Sequence, residues 1–225
     1  WGLFLQGIGV TLMLSAIAVV FGILIGSLLA LMRLSKFHIG RFRPLDFIAT
    51  IYVEIIRGTP LLVQLVYIYY VVPLIINLIC GLFGYHTNVQ ISPIVAGIAG
   101  LAVNYGCYMP EVIRGGIISI DNGQTEASIC LGFSPFETLW RIILPQAIRS
   151  IIPALGNYLV MMIKDTSLLA YVAVNELLLR TQTFASQTFL TIEAYTYLAL
   201  AYLILSVPLS HCVKFIEYKL SAQHQ

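Results

Sequence analysis

The chain has 225 residues, of which 59% are hydrophobic and only 10% are charged. Ordinary soluble domains have roughly 25% charged residues, so this composition excludes a water-soluble domain and predicts an all-α integral membrane protein. The formal net charge is +2, and the basic residues are spread along the chain, so the sequence predicts no binding of nucleic acid.

Five apolar runs are close to or longer than the ~20 residues that a helix needs to cross a membrane. They are Leu3 to Met32, Leu45 to Cys80, Ile91 to Ile113, Ile151 to Val174 and Tyr195 to Val213. The first run exceeds the roughly 7 to 15 apolar residues of a secretory signal, so we expect it to remain a membrane helix. The chain begins at Trp1 without a methionine, so a short N-terminal piece is expected to be missing. We predict a single transmembrane domain, 1–225, with five transmembrane helices.

The positions of the basic residues predict the orientation of these helices. Nine of the twelve Lys and Arg residues fall on one side of the membrane in the five-helix arrangement: Arg33, Lys36, Arg41, Arg43, Arg114, Arg141, Arg149, Lys214 and Lys219. Only Arg180 falls on the other side. Because cytoplasmic loops carry the excess of Lys and Arg, the N-terminus is predicted outside and the C-terminus inside. The remaining two cations, Arg57 and Lys164, lie within predicted spans.

The first two spans contain features that bear on packing. Gly22 and Gly26 form a small-residue edge, which favours close packing within the chain, although a specific dimer face is the alternative. The second span is too long for one straight crossing, and Gly58-Thr59-Pro60 interrupts it. Pro60 removes a backbone donor and clashes with the preceding turn, so a kink or break is predicted there.

A polar, helix-capping segment lies between the third and fourth spans. Asp121 is predicted to cap one helix with Gln124 as its partner, and Ser134 to cap a second with Glu137 as its partner. Gly132 is placed to end the first helix in a left-handed conformation. We therefore predict a cytoplasmic segment, 119–145, in which two short helices meet at Gly132 and Pro145 closes the segment. The stretch from Asn175 to Glu193 is predicted as an outward loop.

Charged residues within spans are costly and need partners. Glu54 precedes Arg57 by three residues on the same helical face, whereas Asp165 adjoins Lys164 but points about 100° away around the helix. Residue counting from the start of each span places both cations at similar depth, about 18 to 20 Å inside. Glu111 and Arg114, at i,i+3 spacing, are predicted to form an interfacial ion pair. The intramembrane charges indicate either an ion network that holds the helices together or a substrate site beside a broken helix.

Several segments together resemble a known family. Glu126-Ala127, Gly132 and Ile142-x-Leu144-Pro145 are similar to the EAA loop of ATP-binding-cassette (ABC) importer permeases. Other segments resemble the polar-amino-acid branch of type I importers: Arg57 to Gln64, Asn104-Tyr105, Glu111 to Gly116, Leu144 to Ala147 and Lys164 to Leu168. Ser128 departs from the pattern, because it stands where the loop has its second Ala, and so do Cys107 and Pro110.

The resemblance implies a multi-pass permease subunit of the bacterial cytoplasmic (inner) membrane that imports polar amino acids by alternating access. It implies four kinds of partner: a cytoplasmic ABC ATPase dimer, a second permease subunit in a homodimer or heterodimer, an extracytoplasmic amino-acid-binding protein and membrane lipid. The permease itself is expected to be no enzyme and to hold no cofactor or metal. In agreement, no Gly-rich phosphate loop of the ATPase type occurs in the sequence.

The candidate site residues follow from these motifs. The substrate-binding candidates are Arg57, Gly58, Thr59, Asn104, Lys164, Asp165, Thr166 and Ser167, and Lys164 is the candidate for binding a carboxylate. The candidates for coupling to the ATPase are Glu126, Ala127, Gly132, Phe133, Pro135, Leu144 and Pro145. Two other functions remain open at this point: an ion-coupled secondary transporter or channel that uses Arg57, Lys164 and Asp165 without ATP, and a noncatalytic membrane scaffold.

Overall fold

The structure is a computed structural model that describes residues 2–35, 37–38, 40, 42–85 and 87–221. Lys36 and Arg41, two of the nine predicted cytoplasmic cations, lie outside these residues. The described chain is helical, as predicted. Its helices are α1 (Gly2–Leu34), α2 (Pro44–Arg57), α3 (Leu61–Val66), α4 (Val72–Leu82), α5 (Pro93–Gly106), α6 (Met109–Ile118), α7 (Asn122–Cys130), α8 (Pro135–Thr138), α9 (Leu144–Asp165), α10 (Leu177–Thr188) and α11 (Thr191–Ser221).

Four stretches of the described chain are long and apolar enough to cross a membrane. They are Gly2–Leu34, Leu61–Leu82, Pro135–Val172 and Thr191–Leu220. The predicted third span differs from these because it consists of two shorter helices, α5 and α6, separated by Cys107 and Tyr108. Pro110, at the start of α6, is well placed there because the first turn of a helix needs no backbone donor.

The predicted interruption of the second span is confirmed. Helix α2 ends at Arg57 and α3 begins at Leu61, with extended backbone at Pro60. Beyond the break, α3 continues through a π-helical turn, Tyr67–Val71, into α4. The second run is therefore a short helix followed by a long one.

The second helix of the polar segment is longer than predicted. Helix α8 begins at Pro135 and passes through a π-helical turn, Leu139–Ile143, into α9, which continues as a 3₁₀ helix to Val172. The second helix thus continues past Pro145, the predicted end of the cytoplasmic segment. A local π turn accommodates a proline because it re-pairs the backbone groups that the proline frees. The result is one continuous rod of 38 residues, Pro135–Val172.

The predicted outward loop from Asn175 to Glu193 contains a helix, α10 (Leu177–Thr188). Glu176 caps it, since its two carboxylate oxygens accept hydrogen bonds from the backbone N–H groups of Leu178 and Leu179, each at 2.8 Å. Tyr202 Oη of α11 donates to the same carboxylate at 3.2 Å. Burial raises the pKa of the Glu176 carboxyl, and these three donors partly offset that effect. Glutamate is uncommon as an N-cap, so the sequence carried little signal for this helix.

Helix α1 lies at the centre of the fold and packs most extensively against α5, with further contacts to α6, α2, α9 and α10. Its small residues make this approach possible: a Cβ atom at Gly26 would overlap the side chain of Met109, and one at Gly22 would lie 3.6 Å from the Ala102 carbonyl oxygen. The small-residue edge therefore packs within the chain. Because Gly22 lies beside residues 102–106 and Gly26 beside 106–109, α1 and α5 run parallel.

Candidate functional site

The broken helix is held together by one buried side chain. Gln64 Nε2 donates hydrogen bonds to the Ile56 carbonyl oxygen at 2.8 Å, the Thr59 carbonyl oxygen at 3.0 Å and Thr59 Oγ1 at 2.9 Å. Asn104 Nδ2 of α5 donates to Gln64 Oε1 at 3.0 Å. Asn104 and the break were predicted as parts of the site, whereas no role was predicted for Gln64. The only sign of a role for Gln64 in the sequence was its position as the last residue of the motif Arg57 to Gln64.

Arg57 pairs with a different acid from the one that its own helix offers. Its guanidinium Nη1 lies 2.7 Å from Glu111 Oε1 of α6, and its Cζ lies 4.9 Å from the ring centre of Tyr108. Glu111 also lies 4.0 Å from Arg33 Nη1 in the last turn of α1. Glu54, the nearby acid that helical spacing offered as a partner, is therefore not the partner of Arg57: Glu54 is exposed, and Glu111 lies beside the guanidinium instead.

The predicted Glu111–Arg114 ion pair is also wrong. Within the described residues the carboxylate of Glu111 forms its ion pairs with Arg57 and Arg33, which come from two other helices. Spacing of i,i+3 places two side chains on one face of a helix but does not ensure that they form an ion pair. Here the carboxylate of Glu111 binds the guanidinium of Arg57 from another helix instead.

Lys164 and Asp165 lie at the end of α9 and point in different directions. Asp165 Oδ2 accepts a hydrogen bond from Tyr105 Oη of α5 at 2.6 Å. The ammonium of Lys164 is exposed, and it has neither an ion pair nor a hydrogen bond within the described residues. The carboxylate therefore does not form an ion pair with the neighbouring lysine.

The next two residues differ in what they can offer. Thr166 is fully buried, and its hydroxyl donates to the Ile163 carbonyl oxygen at 2.6 Å. Ser167 is half-buried, and its hydroxyl has no partner within the described part of the chain. The 3₁₀ segment that both residues begin packs against α3, where Leu65 and Leu169 share one buried cluster. This contact places the polar island, Lys164 to Ser167, beside the helix that follows the break.

Three tyrosines separate Asp165 from Arg57. The ring centre of Tyr158 lies 6.0 Å from that of Tyr105 and 5.8 Å from that of Tyr108. Asp165 contacts Tyr105, whereas Arg57 lies against Tyr108 and Glu111, one turn further along the chain toward Arg33. Arg57 thus lies nearer the Arg33 end of α1 than the Lys164–Asp165 pair does. Residue counting predicted similar depths for Arg57 and Lys164 because it treats both helices as perpendicular to the membrane.

The polar segment forms a helical hairpin of α7 and α8. The predicted capping box is present: Ser134 Oγ accepts from the Glu137 backbone N–H at 3.3 Å, and Glu137 Oε2 accepts from the Ser134 N–H at 3.1 Å. Asp121 caps α7 as predicted by accepting from Gly123 N–H at 2.6 Å. Its expected partner, Gln124, instead accepts from Gln146 Nε2 of α9 at 3.3 Å.

Gly132 has a left-handed backbone, with φ of +82°, as predicted for the end of α7. The tip of the hairpin is exposed and partly apolar: Leu131 is 76% and Phe136 is 70% accessible. Of the coupling candidates, those that are exposed are Glu126, Ala127, Gly132, Pro135 and Pro145, and those that are half-buried are Phe133 and Leu144. The hairpin therefore presents apolar side chains on a polar segment, as a docking surface does.

Two buried hydroxyls join the two helices of the hairpin. Ser128 Oγ and Thr138 Oγ1 lie 2.9 Å apart, and both residues are at most 3% accessible. Ser128 Oγ also donates to the Thr125 carbonyl oxygen at 2.7 Å. Ser128 is the position at which the sequence departs from the Ala of the loop pattern, and the departure places a hydrogen-bonding group in the hairpin core.

Comparisons with known proteins agree with this arrangement. The family model described as "Binding-protein-dependent transport system inner membrane component" matches residues 5–222. The glutamine transport system permease protein of Escherichia coli (strain K12) is 33% identical over 218 residues, which cover 97% of this chain and 93% of that protein. The L-cystine transport system permease protein of Bacillus subtilis (strain 168) is 38% identical over 182 residues, which cover 81% and 70% of the two chains.

Solved structures show the same fold. The crystal structure of an amino acid ABC transporter with histidines matches with a TM-score of 0.82 and 34% identity, covering 97% of this chain and 94% of that chain. An inward-facing structure of the MetNI methionine ABC transporter matches with a TM-score of 0.72, covering 97% and 96%. At 19% identity this second match shows the fold alone.

The fold and the helical hairpin define a membrane permease of the ABC importer class. The chain belongs to the family of binding-protein-dependent transport system inner membrane components. The resemblance to the polar-amino-acid branch is therefore confirmed, and the chain is an inner-membrane transport component rather than an enzyme. The comparisons give no support to an ion-coupled secondary transporter or channel.

Proposed function

We propose that the chain forms one half of the translocation pathway of an ATP-driven importer of polar amino acids. The observation that carries this proposal is the polar island at the end of α9, where an exposed Lys164 without a partner adjoins Asp165. A free amino acid carries one carboxylate and one ammonium group. Lys164 provides positive charge for the carboxylate, Asp165 provides negative charge for the ammonium, and the free hydroxyl of Ser167 offers a further hydrogen bond.

The proposed topology has five crossings, with the N-terminus outside and the C-terminus inside. Helices α5 and α6 together form the third crossing. Their parallel packing beside α1 supports this arrangement, since both then run from outside to inside. The described cations Arg33, Arg43 and Arg114 all lie at the proposed cytoplasmic ends.

The hairpin in segment 119–145 is the proposed contact with a cytoplasmic ABC ATPase dimer. Helix α8 is continuous with α9, so a displacement of the hairpin passes directly along the rod to Lys164, about 44 Å away. A rigid element of this kind transmits movement, whereas a disordered linker would absorb it. ATP-driven closure of the ATPase subunits would thus change access to the polar island.

Two further partners are proposed, a second permease subunit and an extracytoplasmic binding protein, because one side of the substrate site is exposed on the isolated chain. Lys164, Gly58 and Thr59 are exposed on the isolated chain, which leaves room for a second permease subunit to close the pathway. An extracytoplasmic binding protein would deliver the amino acid. ATP dependence of uptake in reconstituted vesicles separates this function from ion-coupled transport, because an ion-coupled carrier needs only a gradient.

The test of the substrate site is Lys164→Met in the reconstituted complex. Loss of a charge-assisted hydrogen bond is expected to raise the apparent KM for the amino acid roughly 10- to 150-fold while assembly is unchanged. Lys214→Met, which removes an exposed lysine from α11, is the matched control and should leave KM unchanged. Unchanged KM and rate for Lys164→Met would show that Lys164 does not bind the substrate.

A further inference from the structure

Pro60 leaves a specific gap in the backbone hydrogen bonds of the broken helix. In a continuous helix the N–H of residue 60 would donate to the carbonyl oxygen of residue 56, four positions earlier. Proline has no N–H, so the Ile56 carbonyl oxygen loses its backbone donor. A backbone group that is left unpaired and shielded from water costs several kcal/mol.

The side chain of Gln64 fills this gap. Its Nε2 donates to the Ile56 carbonyl oxygen at 2.8 Å, where the missing N–H would have donated. The same amide nitrogen reaches the Thr59 carbonyl oxygen at 3.0 Å and Thr59 Oγ1 at 2.9 Å. Thr59 Oγ1 in turn donates to the Ile55 carbonyl oxygen at 2.9 Å. Side chains therefore satisfy the last turn of α2 in place of the backbone.

The orientation of the Gln64 amide is set from outside the broken helix. Asn104 Nδ2 of α5 donates to Gln64 Oε1 at 3.0 Å, which directs Nε2 toward the break. Gln64 and Asn104 are only 7% and 8% accessible, so both amides are largely shielded from water. The break is thus joined to α5 through two buried amides.

We infer that Gln64 is a positioning residue: its amide replaces the backbone donor that Pro60 lacks and holds the break at Gly58–Pro60 in its shape beside the substrate site. The inference rests on the proposed function only in that the break faces the substrate. The hydrogen-bond substitution itself is a property of the folded chain and can be measured without any substrate.

The first experiment measures thermal unfolding of the purified complex without substrate. Gln64→Leu removes all hydrogen bonds of this amide and is expected to lower the melting temperature by at least about 2–4 °C, the shift that about 1 kcal/mol produces in a chain of this length. In a Pro60→Ala background the N–H of residue 60 is restored, so the same Gln64→Leu change should cost less than half as much. Equal shifts in the two backgrounds would overturn the inference, since they would mean that the contribution of Gln64 does not depend on the missing N–H of residue 60.

The second experiment measures uptake. Gln64→Leu is expected to raise the apparent KM roughly three- to tenfold at an unchanged amount of assembled complex, because the break is displaced. Asn104→Leu should raise KM similarly, and the double variant should be no worse than Gln64→Leu alone. Gln187→Leu, exposed on α10, is the matched control. Native KM in Gln64→Leu would overturn the positioning role.

The outcomes separate this inference from the proposed function. If Lys164→Met leaves uptake unchanged while the melting temperatures couple Gln64 to Pro60, the substrate site is wrong and the role of Gln64 in the break stands. If Pro60→Ala prevents assembly, the double variant of Gln64 and Asn104 decides the question. Full additivity of their melting shifts then rejects the inference, and non-additivity supports it.

Discussion

Removal of the Ser128 hydroxyl should destabilise the hairpin of α7 and α8. A second substitution, Thr138→Val, should restore part of that stability. The single proton of Ser128 Oγ is donated to the Thr125 carbonyl oxygen at 2.7 Å. In the 2.9 Å contact between the two hydroxyls, Thr138 Oγ1 is therefore the donor and Ser128 Oγ the acceptor. Ser128→Ala leaves a buried hydroxyl donor without an acceptor.

The magnitudes follow from the asymmetry of buried hydrogen bonds. An unsatisfied buried group costs about 1–3 kcal/mol, whereas replacement of both partners by apolar groups of similar shape can be nearly neutral. Ser128→Ala is thus expected to destabilise the hairpin by about 2 kcal/mol. Thr138→Val costs less, because the Ser128 proton keeps its acceptor. The double variant should be more stable than Ser128→Ala alone.

The assay is native-state hydrogen exchange at the backbone amides of α7 and α8, which reports local opening. About 2 kcal/mol corresponds to roughly 30-fold faster exchange in Ser128→Ala, and the double variant should return to within about tenfold of the native rate. Cys130→Ala, exposed on the same helix, is the control. Additive effects of Ser128→Ala and Thr138→Val would refute the reasoning, since they would mean that the two hydroxyls do not depend on each other.

Two further predictions concern the orientation and the coupling of the permease. A cysteine introduced at Gln124 should react with an impermeant reagent from the cytoplasmic side only. Labelling of this cysteine in intact cells from outside would contradict the proposed topology. Gly132→Val should lose copurification of the ATPase while the chain still inserts, because a β-branched residue is strained at φ of +82°, although a Cβ there meets no atom within 4 Å. Gly132→Asn, which tolerates this backbone conformation, is the control, and normal copurification with Gly132→Val would contradict the coupling role.

Local sequence signals determined the helical elements and several of their ends. Apolar runs predict helices wherever they are long enough, and Pro60 predicts a break because proline acts on its own chain through its missing N–H and its ring. The capping box of Ser134 and Glu137 and the left-handed Gly132 are equally local, since each depends on residues within one or two turns. Family membership was also readable, because its motifs are short and ordered along the chain.

Tertiary packing decided which side chains meet. Arg57 pairs with Glu111, 54 positions later, and not with the nearby Glu54, because α2 and α6 both pack against α1, which brings the two charges to 2.7 Å. The Gln64–Asn104 pair spans 40 positions. Helical spacing indicates which residues share a face, but the partner on a neighbouring helix depends on how the two helices tilt and approach, and no local pattern contains that information. The sequence therefore determined which residues were candidates, and the three-dimensional packing of the helices decided that Lys164 stays unpaired beside Asp165 while Gln64 holds the break.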